Sequence, residues 1–257
     1  MDQPTVLMED QGAVRLLTLN RPQQLNALNE TMGRELMAAL GQARQDDAVA
    51  VVVITGAGRA FSAGGDLQRF HAMAQAGDFH QRQRFTDLEL PRVMANFPKP
   101  LIAAINGPAV GWGFTMPLLC DLRLASQEAV FSCAFVRVGL TPEFGSSYIL
   151  PRMLGLGRAM ELVLTAREFG AAEALALGFL NRVTAPGDLL PAALDLAQAI
   201  ARHPQPAIRM AKAILRHGAE STLEQTMGYE IELFRQAMAT PEHLRAVEAM
   251  LAQIRAK

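Results

Sequence analysis

Hydrophobic residues follow three rhythms along this chain, and each predicts a different kind of element. Continuous β-branched or apolar runs at 51–55 and 100–107 read as buried strands that end on glycine. Weak alternation over 14–19, closed by Asn20-Arg21-Pro22, and short runs at 122–124 and 130–131 add further strands. Helical spacing appears at Met32, Leu36 and Leu40, with Asn29 as the cap. Further helices are expected over 68–77, over 85–97 with a disturbance at Pro91, and over 146–154, 158–165 and 171–177. The polar stretch 78–84 reads as mobile, and 108–119, apolar on every side, as a buried helix. Thr141-Pro142-Glu143 has a helix-start signature, with Pro142 in the first turn. From Leu189 onward the signals are helical only. Thr240-Pro241-Glu242 caps the last helix, and Leu244, Val247, Met250 and Leu251 share one of its sides.

This order predicts an α/β core over 1–190 and a helical C-terminal region over 191–257. The tail has more apolar surface than one domain needs, which suits packing on the core or on another subunit.

The stretch 50–67, AVVVITGAGRAFSAGGDL, organises the rest. A strand runs into two glycine knots, and Asp66 is placed to cap a helix from Leu67. Glycines let a ligand approach the backbone, and a helix start offers unpaired N–H groups. Phe61 stands where a dinucleotide fingerprint needs its third glycine, and no Gly-Lys-Ser/Thr tripeptide is present. The alternative is a tight strand–helix connection with no ligand.

Composition narrows the classes. At 257 residues, half of them hydrophobic, the chain can bury a sizeable core. A net charge of −1 argues against nucleic acid or an acidic membrane surface as partner. Cys120 and Cys133 are too few for a disulfide framework. The start lacks signal-peptide order, and the most apolar run falls short of the roughly 20 residues a membrane span needs. A soluble, cytoplasmic protein is expected. The five histidines, His71, His80, His203, His217 and His243, show no metal-ligand spacing, so no metal is expected. Ser62, Ser146 and Ser147 have no histidine close in sequence to make them nucleophiles.

Taken together, GAGRAFSAGGDL at 56–67 and AAINGPAVGWGFTMPLLCDLRLAS at 103–126 resemble the enoyl-CoA hydratase/isomerase (crotonase) superfamily. Asn20-Arg21-Pro22 and Asn26-Ala27-Leu28 look like its first motif, and 165–183 like its later helical stretch. The resemblance implies a fold of repeated ββα units, a helical C-terminal trimerisation region, and a homotrimer or hexamer. It also implies acyl-CoA thioester substrates, with coenzyme A as part of the substrate and no separate cofactor.

Removing a proton beside a thioester carbonyl puts negative charge on its oxygen. Two preorganised backbone N–H donors can hold that charge, and losing one costs roughly 10²–10³ in rate. By resemblance the donors are the amides of Ala63 and Trp112, and the substrate pocket is formed by Ala27, Ser62, Ala63, Gly64, Gly65, Asp66, Leu67, Trp112 and Phe135. Hydratases of the superfamily use two glutamates, and Thr115 and Phe135 occupy those positions here.

The stretch 131–151 looks instead like Δ3,Δ2-enoyl-CoA isomerases of the peroxisomal type, in which the glutamate matching Glu143 shuttles one proton between C2 and C4. Phe135 and Phe144 are expected to desolvate Glu143 and raise its pKa. The alternative for Glu143 is a favourable charge at a helix N-terminus. For Asp66 a helix cap is the preferred role. Arg21, Arg59 and Lys257 are unranked candidates for the CoA phosphates. Two rivals to the isomerase stay open: hydration or another crotonase-type reaction, and a catalytically silent acyl-CoA-binding member.

Overall fold

A computed structural model describes residues 3–77 and 89–255 of the chain. The polar stretch 78–84, residues 85–88 of the expected second helix, His80 and Lys257 lie outside the described residues.

The buried runs become the middle of a six-stranded sheet. Its strands are β1 (Val6–Gln11), β2 (Val14–Leu19), β3 (Val51–Gly56), β4 (Leu101–Ile105), β6 (Leu122–Ser126) and β9 (Arg182–Thr184), neighbours in that order. All pairs are parallel except β1 with β2. A smaller sheet is built from β5 (Ala109–Val110), β7 (Val130–Ser132) and β8 (Phe169–Gly170). The acidic β1 shows no strand signal in sequence because it is an exposed edge, paired on one side only.

Side chains alternate between two cores, as a strand's period of two requires. Leu17, Leu19, Val52, Ile54, Ala103 and Ile105 face one cluster; Leu16, Val51, Val53, Ile102, Ala104 and Leu124 face the other. The first cluster lies against α1 (Glu30–Gln45), which Asn29 caps by accepting from the Met32 amide and which buries Met32, Leu36 and Leu40. It also takes in Leu90 and Met94 of α3 (Glu89–Ala95), which follows α2 (Leu67–Ala76) in the chain.

The chain then passes through α4 (Trp112–Thr115), α5 (Ser146–Leu154), α6 (Leu156–Thr165) and α7 (Ala171–Ala176). The second core cluster is closed by α8 (Leu189–Ala201) through Leu189, Ala193 and Ala197. The expected division after residue 190 falls inside this helix. Beyond it come α9 (Gln205–Gly218), α10 (Leu223–Met238) and α11 (Pro241–Arg255), and α9 is tied to the sheet by Lys212 and Arg216 on Asp121. None of the described helices is long and apolar enough to cross a membrane.

Two local expectations are corrected. Residues 108–119 are not one helix: Ala109–Val110 is a strand, Gly111 turns at φ +53°, and α4 lasts one turn before Met116–Leu119 tightens into a 3-10 segment containing Pro117. Pairing of Ala109 with Phe131 and its bridge to Ser62 outcompete helix formation. Nor does a helix begin at Pro142. Phe144 and Gly145 take left-handed backbone at φ +60° and +73°, and α5 starts only at Ser146.

Candidate active site

The two glycine loops leave the C-terminal ends of β3 and β4 and lie backbone to backbone. The Val110 amide donates to the Ser62 carbonyl at 2.9 Å, and the Phe61 and Ser62 amides both donate to the Pro108 carbonyl at 3.1 Å. So close an approach forbids side chains at the crossing. A β-carbon at Gly113 would stand 2.3 Å from the Ser62 carbonyl oxygen, and one at Gly64, already at φ +97°, 2.8 Å from that of Val110.

A third segment, 21–28, clamps the first loop. Asn26 gives its amide group to the Ala57 and Ala60 carbonyls and accepts from the Arg21 amide. Its carbonyl takes the Ser62 hydroxyl at 2.8 Å. That hydroxyl also accepts from the Gly64 amide at 3.2 Å, and Ser62 is fully buried. Ser62 therefore braces the loop rather than facing a ligand.

Tracing each amide corrects one assignment. The Ala63 N–H donates to the Leu25 carbonyl at 2.9 Å, so it is spent on the clamp. The bridge between Leu28 and Gly65 uses the Gly64 carbonyl and the Asp66 amide, which leaves the Gly65 N–H without an acceptor among the described residues. The Trp112 N–H, first in α4, has none either, as expected for a helix start. The unpaired donors flanking the crossing are Gly65 and Trp112, not Ala63 and Trp112. The family-like motif located the loop, but a shift of two residues within it is visible only in the hydrogen bonds.

The side chains of the site gather beside this crossing. Phe135, in the 3-10 segment Ala134–Val138, is buried with a ring carbon 4.0 Å from where a Gly111 β-carbon would be. Trp112 packs edge-on to Phe144 with ring centroids 6.2 Å apart. Phe114 of α4 packs against the rings of three further phenylalanines, Phe131, Phe169 and Phe179, which anchor the helix.

Glu143 folds back over α4, and its Oε1 accepts the Thr115 hydroxyl at 2.8 Å. The residue keeps access to solvent, yet protein crowds its carboxyl and pushes its pKa up to about 7, against the hydrogen bond from Thr115, which lowers it. Its carbonyl accepts both the Ser146 amide at 3.1 Å and the Ser146 hydroxyl at 2.6 Å. Glu143 lies just before α5, but its carboxylate bonds Thr115 rather than an α5 amide.

The other sequence candidates are placed as follows. Ala27 is buried and its carbonyl accepts the Arg21 guanidinium at 2.5 Å. Asp66 caps α2 and pairs with Arg21 at 3.3 Å, so Arg21 is occupied within the protein. Leu67 is 61% exposed on α2. Arg59 is exposed on the first loop, with no side-chain partner among the described residues. Sequence reasoning treated Thr115 only as a missing carboxylate; nothing in sequence places it against a residue 28 positions on.

Such a site can hold a developing oxyanion on two main-chain donors and move a proton on one carboxyl group. Comparison with known proteins points the same way. The family profile described as enoyl-CoA hydratase/isomerase matches residues 9–253. A protein of Rhizobium meliloti (strain 1021) named "Probable enoyl-CoA hydratase" is 39% identical over 257 residues, covering 100% of this chain and 98% of its own length. The crystal structure of an enoyl-CoA hydratase from Polaromonas sp. JS666 superposes with a TM-score of 0.91 at 31% identity, covering 96% of this chain and 97% of that one. A monofunctional enoyl CoA isomerase from M. smegmatis superposes with a TM-score of 0.74 at 35% identity, covering 88% and 99%. None of these three names specifies the peroxisomal type to which 131–151 was likened.

Proposed function

The chain belongs to the enoyl-CoA hydratase/isomerase family, and from that premise we propose that it moves the double bond of a 3-enoyl-CoA to the 2-position, with Glu143 as the single proton carrier. The observation that carries this reading is a lone carboxyl of pKa about 7 beside two unpaired amides, with a threonine where a second carboxylate would be needed for hydration.

In this mechanism the Glu143 carboxylate takes a proton from C2. The electron pair spreads onto the thioester oxygen, held by the Gly65 and Trp112 amides, and across the C3–C4 double bond. The same carboxyl returns the proton at C4, leaving the double bond between C2 and C3. Atoms and charge balance, and nothing is required beyond the coenzyme A that the substrate carries. A pKa near 7 suits a group that must act first as base and then as acid. Arg59 is the cation we assign to the CoA phosphates.

The direct test is turnover of a 3-enoyl-CoA by Glu143→Gln. A loss of roughly 10²–10⁴-fold is expected for removal of the acid–base group; near-normal turnover ends the reading.

Hydration is the second reading, favoured by the hydratase names of two of the relatives. Water-dependent absorbance loss with a 2-enoyl-CoA, at a rate matching that of isomerisation, would establish it. Exchange of the substrate's α-proton for deuterium separates both reactions from a silent binder.

The chain is also proposed to form a homotrimer or hexamer. Leu215, Leu223, Phe234, Leu244, Met250 and Ile254 are 60% to 76% exposed along α9–α11, an apolar surface that calls for a covering partner. A monomeric mass by light scattering would refute this.

A further inference from the structure

Thr115 is fully buried, and its hydroxyl has two acceptors within reach: Glu143 Oε1 at 2.8 Å and the Trp112 carbonyl at 3.4 Å. The other carboxyl oxygen, Oε2, has no protein partner among the described residues. Glu143 is thus pinned at two points, its carbonyl by Ser146 and one side-chain oxygen by Thr115, with Oε2 left for chemistry.

A proton shuttle makes a demand that a simple base does not. Its neighbours must accommodate the carboxylate and the carboxylic acid in turn, because protein crowds the carboxyl and a partner lost in either state costs free energy. A hydroxyl meets that demand, since it donates one proton and also accepts. With Glu143 ionised, Thr115 donates to Oε1, the shorter of its two contacts. When Oε2 takes up the proton, Oε1 becomes the carbonyl oxygen of a carboxylic acid and still accepts from Thr115, so the same bond serves both states.

We propose that Thr115 is the positioning residue of the proton shuttle: it fixes Oε1, leaves Oε2 as the working oxygen, and partners the carboxyl in both protonation states. This rests on the reading of Glu143 as proton carrier. Cys133 feels the Glu143 charge, but burial pushes its thiol up to about 12 and keeps it neutral. The hydrogen bond from Thr115 is what offsets the effect of burial on the carboxylate.

The experiment compares Thr115→Val and Thr115→Ser with the unaltered chain in 3-enoyl-CoA isomerisation across pH. Valine keeps the shape and loses the hydroxyl; serine restores it. The expected result for Thr115→Val is a kcat lower by roughly 10- to 100-fold, the scale of a hydrogen bond to a charged group, with KM little changed. The acid limb of its kcat/KM profile should move up by about one pH unit or more. Thr115→Ser should recover most of both. Far-UV circular dichroism checks that each variant folds, and infrared titration of the Glu143 carboxyl, assigned by its loss in Glu143→Gln, reads the same shift without turnover. A Thr115→Val profile and kcat equal to those of the unaltered chain would overturn the proposal, as would equal losses in valine and serine variants. If Glu143→Gln itself keeps its turnover, the reading of Glu143 fails instead, so the two failures are distinguishable.

Discussion

The two halves of the site are built by opposite means. The glycine-loop half is main chain against main chain: Ser62 to Val110, Pro108 to Phe61 and Ser62, Leu25 to Ala63. Its donors are backbone amides, so the side chain at position 112 is free to be tryptophan without touching the N–H that matters. The Glu143 half is held by side chains, one hydroxyl from Thr115, one from Ser146, and a phenylalanine in left-handed backbone between them. Left-handed φ at a bulky residue persists only where its surroundings over-determine it. A backbone cradle tolerates substitution at a donor such as position 112, though not at the glycines of the crossing, and holds charge whatever the reaction; in the proposed mechanism the side-chain turn decides which proton moves. The loops therefore speak to the substrate class, and the turn at 143–146 to the reaction.

The largest effect that sharpens this contrast is that of Glu143→Gln. Besides its loss of turnover, it carries a pH signature. Burial raises the Glu143 pKa to about 7 in the folded state, above roughly 4.3 for a free glutamate. The carboxyl is neutral in both states below about pH 4, so it costs nothing there. The penalty grows as pH rises from about 4, where the unfolded carboxyl ionises, to about 7, where the folded one does, and is constant above. Glu143→Gln is thus expected to show no gain in Tm near pH 4 and its full gain by about pH 8. The unaltered enzyme's kcat/KM should climb to a plateau above about pH 7, since only the carboxylate accepts a proton. A profile flat through this range would break the assignment.

Next comes the main-chain half. Gly113→Ala puts a methyl 2.3 Å from the Ser62 carbonyl, so the two loops must separate. About 1–3 kcal/mol of stability should be lost, the usual cost of overpacking, with at least a tenfold loss in kcat as the Trp112 amide moves. Denaturant melts and steady-state kinetics check the two together. If Gly113→Ala loses stability but keeps its kcat, the Trp112 amide does not need the close crossing of the loops.

Ser146→Ala is smaller. It removes the 2.6 Å bond to the Glu143 carbonyl but leaves the Ser146 amide in place, for a cost of about 1 kcal/mol and a several-fold drop in kcat. Trp112→Phe should matter least. The indole N–H is buried with no partner among the described residues, so its removal offsets the lost ring volume. Turnover and Tm close to those of the unaltered chain are expected. A large kcat loss in Trp112→Phe would show that the indole, and not only its amide, serves the reaction.

Local chemistry made much of this molecule readable from its residues. Asn29 before Met32, Leu36 and Leu40 marks a helix start because a cap and a 3.6-residue stripe are both short-range signals. The runs at 51–55 and 101–105 mark interior strands because burial on both faces leaves no room for polar positions. Glu143 and Trp112 are singled out only by the resemblance of motifs a few residues long to a known family, not by local chemistry. What the sequence could not settle was every pairing across distance: that Ala109 takes Phe131 as strand partner rather than joining a helix, that 141–143 stays outside the helix, and that the Ala63 amide is consumed by Leu25 so that Gly65 is left free. A backbone amide carries no sequence signature of whether it is paired, and a hydroxyl none of what it faces 28 residues on. Those outcomes follow from which chain segments the sheet brings together, and only the folded structure decides them.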